Sequence, residues 1–183
     1  MLRRFLPVLF ALGCSASQMA APPPPPAQAA IAPPPFTAAQ IRDATRVGRT
    51  YRFRVESAGE PLVVLQLRFT AVDETGSTRT REAFDEQGNA LKPAETIHET
   101  WAELQAHASW PAESTTRDEA EIDVPAGHFR GPHYVSTETK EGATTITRAW
   151  FAGSLPGAPV RLEMESGGQI VMRMTLLSHE PGP

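Results

Sequence analysis

Apolar and polar residues alternate along most of the chain after Arg49, which is the pattern of half-buried β-strands. The alternation is clearest over residues 51–56, 63–71, 160–165 and 170–177. Short clusters of Gly, Pro, Asn and Asp separate these runs, and Gly167-Gly168 is the strongest signal for a tight hairpin. Strands at this regular spacing predict an antiparallel meander of about nine strands.

Two segments break the alternation and predict short helices. Thr37 and Gln40 form a capping box for the first helix, which we expect to end at Gly48. Thr100 and Glu103 form a second capping box, and the next proline ends the helix that follows. The predicted fold is therefore mainly β (α+β): a curved antiparallel sheet, either a half-barrel or a β-roll, with two short helices against one face.

The second predicted helix and the residues after it are rich in tryptophan. Trp101 and Leu104 share one helical face, and Trp110 follows at the end of the segment. One interpretation is that these residues plug one side of the sheet as ordinary core. The other is that they line a cavity for an apolar ligand together with Trp150. The sequence leaves both interpretations open.

Residues 1–13 have the features of a secretion signal. Arg3 and Arg4 precede an apolar run over residues 5–12, far shorter than the roughly 20 residues that span a bilayer. Cys14, the only cysteine in the chain, comes directly after this run. A secreted thiol without a partner is a liability, so we expect Cys14 to be modified rather than free.

Residues 14–35 form a predicted tether between Cys14 and a single β-rich domain over residues 36–183. The tether contains the proline runs 22–26 and 33–35 and shows no apolar period, so it has too little apolar surface to fold. Proline runs favour polyproline II at roughly 3.1 Å per residue, which gives a reach of roughly 60 Å. We therefore expect the domain to be held away from the lipid.

The charge of the chain excludes one large class of partners. Of the 17 Lys and Arg residues two are in the leader, and the other 15 stand against 21 Asp and Glu, a formal charge of −6. Nucleic-acid binding depends on clustered Lys and Arg that contact phosphates. An acidic domain of this kind is not expected to bind nucleic acid.

The titratable residues form no known catalytic or metal-binding motif. The five histidines lack the spacing of metal ligands, and nucleophile elbows, phosphate-binding loops and dinucleotide glycine patterns are absent from the sequence. We therefore predict no catalytic residue, no metal ligand, no cofactor and no enzymatic activity. A cell-wall hydrolase stays open as the least favoured function, because folding can bring a carboxylate pair together.

The segment Ala11-Leu12-Gly13-Cys14 resembles the lipobox of bacterial lipoproteins. The resemblance implies cleavage before Cys14, a diacylglycerol on its thiol and an acyl chain such as palmitate on its new amine. Ser15 is similar to the residues that sort these lipoproteins to the outer membrane, facing the periplasm or the cell surface. Membrane lipid is thus the implied partner of Cys14.

Three further motifs resemble a pattern in uncharacterised bacterial envelope lipoproteins with a β-rich domain. They are TWAELQAHASWP over residues 100–111, VPAGHF over 124–129, and WFA at 150–152 followed by LPGAPV at 155–160. This resemblance implies a fold but carries over no activity. A looser likeness, in the order of elements alone, is to the half-barrel of envelope lipoprotein carriers.

The sequence thus favours a lipid-anchored cell-envelope protein with a non-catalytic role, either structural or in binding an envelope protein or cell-wall partner. The alternative is a periplasmic carrier or sensor of an apolar ligand. In that case the ligand is expected near Trp101, Leu104, Trp110 and Trp150.

Overall fold

A computed structural model describes residues 30–183. In these residues nine antiparallel strands form one open sheet. The leader, Cys14 and the first part of the predicted tether lie outside the described residues. The helices are α1 (Ala38–Ala44) and α2 (Trp101–Ala106), with a short 3-10 turn at Ala112–Ser114. The strands are β1 (Thr50–Ser57), β2 (Val63–Val72), β3 (Gly76–Phe84), β4 (Glu95–Thr100), β5 (Thr115–Val124), β6 (Gly127–Lys140), β7 (Ala143–Trp150), β8 (Arg161–Ser166) and β9 (Gln169–Glu180).

The sheet consists of two meanders joined through its first and last strands. The strand order is β4-β3-β2-β1-β9-β8-β7-β6-β5, so β1 and β9 lie in the middle. Their register places Tyr51 opposite His179 and Val55 opposite Met174. The predicted fold class is confirmed: the described chain is mainly β, with an antiparallel sheet and two short helices.

The sheet is strongly curved: the β5–β6 hairpin at one edge contacts β9 in the middle of the same sheet. Three strands separate β9 from β5 in the sheet. Nevertheless the amide of Ala126, at the tip of the β5–β6 hairpin, donates to the carbonyl of Leu176 on β9 over 3.3 Å. Val124 at the same tip belongs to one core cluster with Phe53 and Leu176. The curvature produces an inner face, which carries Tyr51, Phe53 and Leu176.

Both helices begin with the predicted capping boxes. The Gln40 amide donates to Thr37 Oγ1 over 3.2 Å, and the Thr37 amide donates to Gln40 Oε1 over 2.8 Å. Thr100 and Glu103 make the same reciprocal bonds at α2. The predicted end of α1 at Gly48 is wrong. The helix ends at Ala44, because Thr45 has an extended backbone and its hydroxyl donates to the Ile41 carbonyl over 2.7 Å.

The residues just before α1 are part of the folded domain. The amide of Ala32 donates to the Trp110 carbonyl over 2.9 Å, and the Tyr134 hydroxyl donates to the Pro33 carbonyl over 2.7 Å. The sequence assigned these residues to the tether, with the domain starting at Phe36. Among the described residues, contacts with the domain are already present at Ala30, because this extended segment pairs with the residues around Pro111.

Candidate functional site

A cleft lies between the inner face of the sheet and the two helices. Its volume is about 250 Å³. α1 and α2 form one wall, β1, β2, β8 and β9 form the floor, and the segment between β7 and β8 closes the side. The lining residues are Ile41, Thr45, Arg49, Tyr51, Phe53, Leu67, Phe69, Arg79, Leu104, His107, Ala108, Trp110, Phe151, Gly157, Ala158, Pro159, Leu162 and Met174.

One end of the cleft is built from packed aromatic rings. The Trp110 ring lies 5.0 Å from the Tyr134 ring and 6.2 Å from the Phe151 ring, measured between centroids. Phe36, just before α1, packs edge-on against Phe151 at 6.1 Å. Because each ring is held by its neighbours, this end presents a preformed apolar surface.

The four residues predicted to lie near an apolar ligand fall into two groups. Leu104 and Trp110 line the cleft. Trp101 is buried elsewhere, where its ring N–H donates to the Asp73 carbonyl over 3.0 Å. Trp150 stacks on His133, with 4.5 Å between the ring centroids. The structure therefore brings Leu104 and Trp110 together in this cleft, and Trp101 and Trp150 do not line it.

Simple geometry explains why Trp101 and Trp150 lie outside the cleft. Successive side chains of a strand point to opposite faces. Ala149 is fully buried in the cluster beneath the helices, whereas its neighbour Trp150 packs against the other core cluster, which includes Val160. Trp101 is the first residue of α2, and it packs beside the β2–β3 turn rather than over the floor of the cleft.

Arg49 provides a buried cation in the cleft. It is 2% exposed. Its Nε–H donates to His179 Nε2 over 3.2 Å, and its Nη1 donates to Thr45 Oγ1 over 3.2 Å. Its guanidinium carbon lies 4.8 Å from the centroid of the Tyr51 ring. Burial lowers the pKa of Arg49, and the Tyr51 side chain opposes this effect.

The Tyr51 hydroxyl is a second buried polar group at the same place. It has no hydrogen-bond partner in the described residues. The Ala158 amide approaches the oxygen but falls short of hydrogen-bond geometry. Burial is the main effect on this phenol and raises its pKa to about 12. Tyr51 is therefore a neutral O–H donor at physiological pH.

Gly157 lets the backbone approach these two polar groups closely. Its φ of +139° disfavours any other residue, and a Cβ built there would lie 2.7 Å from Tyr51 Oη. The same Cβ would lie 3.8 Å from Arg49 Nη1. The hydroxyl and the guanidinium thus both lie next to the backbone of Gly157, at one place in the lining of the cleft.

Arg79 is the second arginine of the cleft, and it has an acidic partner. Its Nη2 forms an ion pair with Glu99, and both side chains are mostly buried. The same carboxylate accepts from His107 Nε2 at 2.8 Å. Burial lowers the pKa of Arg79, while the charge of Glu99 acts in the opposite direction.

The described residues contain histidine–carboxylate pairs, but no Ser, Thr or Cys side chain forms a hydrogen bond with these histidines. His128 pairs with Asp123 and His133 pairs with Asp118. The Nε2 atom of His133 is buried without a partner. Among residues 30–183 no cluster of His, Cys, Asp and Glu could hold a metal ion. None of the helices in that range is long and apolar enough to cross a membrane.

Sequence reasoning missed Arg49, Tyr51 and Arg79 as site residues. A signal was present, because Arg49 is in phase with Tyr51 and Phe53 and so occupies a position that alternation reserves for apolar side chains. Arg79 similarly stands opposite Phe69 in the β2–β3 register. In both cases a charged residue stands at a position where the alternation of the strand predicts an apolar side chain, and this pattern identifies Arg49 and Arg79 as candidates.

Comparison with protein-family models, with curated proteins and with solved structures found no match for this chain.

Proposed function

We propose that this protein is a lipid-anchored protein of the bacterial cell envelope whose domain binds a small, largely apolar molecule in the cleft. The observation that carries the proposal is the cleft itself, about 250 Å³ in volume and lined mainly by apolar and aromatic side chains. Ligand sites are typically apolar clefts of about 300–1,000 Å³ with a few polar groups. The size of this cleft indicates a small ligand.

The cleft favours a binding role over a purely structural one. Close packing leaves few voids larger than a water molecule in protein cores. A void between helices and sheet, bordered by rigid aromatic rings, is therefore better explained by a ligand than by incomplete packing. We therefore favour the binding role over the structural or partner-binding role that the sequence alone favours.

The anchor part of the proposal depends on the sequence of the leader. The apolar run of residues 5–12 and the single cysteine at position 14 support lipidation. One acyl chain holds a protein to a membrane only marginally, whereas two or more hold it stably. The lipobox resemblance implies three chains at Cys14, and Ser15 supports the outer membrane as the destination.

Filling the cleft tests the binding role. Ala108 lines the cleft, whereas Ala106 is exposed on the same segment and outside the cleft. The full chain carrying Cys14→Ser avoids competition from acyl chains and detergent. We expect it to bind the neutral fluorophore N-phenyl-naphthylamine saturably, and Ala108→Phe to weaken binding at least about tenfold because the ring occupies the apolar space.

Ala106→Phe is the matched control and should bind the fluorophore as the parent does. Circular dichroism of both variants checks that the sheet is retained. The proposed function would be overturned if the parent did not bind the fluorophore saturably, or if Ala108→Phe and Ala106→Phe bound it equally well.

Replacing the cysteine tests the anchor independently. We expect Cys14→Ser to move the protein from the membrane fraction to the soluble fraction of fractionated cells, because its lipid attachment site is lost. Retention of the variant in the membrane would contradict the anchor and leave the cleft proposal standing.

A further inference from the structure

We infer that the ligand of the cleft is an amphiphile with one anionic head group, a carboxylate, which binds at Arg49 and Tyr51. The inference rests on the proposed function and specifies its ligand class. The observation that supports it is a buried cation without an acidic partner, Arg49, which lines an otherwise apolar cleft.

The charge of Arg49 has no acidic partner among the described residues. Every Asp and Glu of the chain lies at or after position 43 and so within the described residues. None of them forms an ion pair with Arg49, whose hydrogen-bond partners, Thr45 and His179, are neutral groups. A buried charge without a counter-ion is costly. A ligand anion would supply the missing charge.

Arg49 and Tyr51 both have hydrogen-bond donors without a partner in the described residues. A guanidinium has five N–H donors, and Arg49 uses two of them, on His179 and Thr45. Three remain without a partner in the described part of the chain. The Tyr51 hydroxyl, on a residue only 2% exposed, is also unpartnered. Both groups lie against Gly157 in the lining of the cleft, so one carboxylate bound at this end of the cleft would accept from both.

The rest of the cleft is suited to an apolar body rather than to a second charge. Arg79 is already paired with Glu99, so Arg49 is the cation in the lining that has no acidic partner. The aromatic and aliphatic lining, which includes Leu104, Trp110 and Met174, is suited to a hydrocarbon body. One charged end and one apolar body describe a monoanionic amphiphile.

The test compares two probes of equal chain length on the full chain carrying Cys14→Ser. Decanoate has the carboxylate, and decanol is its neutral counterpart. Calorimetry at neutral pH gives the ratio of their dissociation constants. We expect decanoate to bind about 10- to 100-fold more tightly, which is the value of one or two charge-assisted hydrogen bonds in a buried site.

Variants locate the preference. Arg49→Met should reduce the ratio to about one, and Tyr51→Phe should reduce it several-fold while removing only an oxygen that makes no hydrogen bond in the free protein. Arg52→Met is the matched control, because Arg52 is an exposed arginine on the other face of the same strand. It should keep the parental ratio.

The outcomes separate the two levels of the proposal. Equal binding of decanoate and decanol by the parent overturns the anionic head group but leaves a cleft for neutral ligands. Failure of both probes and of the neutral fluorophore overturns the proposed function as well. If Arg49→Met does not fold, the parental ratio and the Tyr51→Phe ratio still decide the question.

Discussion

The cleft contains two arginines, Arg49 buried and Arg79 mostly buried, whose charged surroundings differ. Arg79 forms an ion pair with Glu99, which also contacts His107. Arg49 contacts a hydroxyl, an imidazole and an aromatic ring, and no carboxylate. A charge that only stabilises the fold is best neutralised by the protein itself. The contrast is consistent with a structural role for Arg79 and supports the proposal that Arg49 binds a ligand.

The largest effect is expected from breaking the Arg79 pair. Glu99→Gln leaves a mostly buried guanidinium without its counter-ion, and we expect it to lower the free energy of unfolding by about 3 kcal/mol. Urea denaturation measures the change. Glu95→Gln is the matched control on the same strand: its pair with Arg81 is about 40% exposed, so its loss should cost less than about 1 kcal/mol. Similar losses in the two variants would contradict a special role for the buried pair.

Replacing each arginine by methionine sharpens the comparison. We expect Arg79→Met to destabilise the protein by about 3 kcal/mol, because it leaves the Glu99 carboxylate in a mostly buried position. Arg49→Met leaves no charged partner behind, so the change in the free energy of unfolding should stay within about 1 kcal/mol in either direction. Urea denaturation of the two variants in parallel gives the answer. A large loss in Arg49→Met would show that Arg49 is structural.

The smallest effect is a pH dependence that arises beside Arg49. Burial, and to a lesser extent the charge of Arg49, lower the pKa of His179, while Glu180 acts in the opposite direction. The unfolded chain therefore binds the proton more readily. The stability contribution is complete above the ordinary pKa of about 6.5 and is lost as the pH falls through the lowered value.

We expect the urea concentration at the unfolding midpoint of the parent to decrease as the pH is lowered from about 7.5 to about 5.5. Ordinary carboxyl groups stay ionised over this range. His179→Gln should reduce that fall, because the titrating group is gone. His128→Gln, which replaces a histidine on the surface, is the control. Identical pH profiles for the parent and His179→Gln would refute this account.

Local patterns in the sequence were sufficient for most of the fold. The alternation around Tyr51 and Phe53 predicted β1 correctly, because a strand with one buried face must alternate. Thr37-Gln40 and Thr100-Glu103 predicted both helix starts, since a capping box is formed by residues three apart. These features depend on neighbours in the chain and are therefore visible without a structure.

The candidate site was only partly predictable. Leu104 and Trp110 were named from sequence and line the cleft, while Trp101 and Trp150 were named and do not. Aromatic content indicates that a residue will be buried but not which surface will bury it. Arg49 was missed because the cost of its burial depends on which groups surround it, and these come from distant parts of the chain.

By itself the sequence determined the strands and the helix starts, since each of these arises from interactions over a few residues. The anchor at Cys14 stays a prediction from the sequence. Only the tertiary structure decided that β1 pairs with β9, which places His179 beside Arg49 across 130 positions of the chain. The same folding brings α2 and Gly157 over the inner face. A cleft with an uncompensated cation exists only after these long-range contacts form, because no local pattern specifies which charges will be near one another.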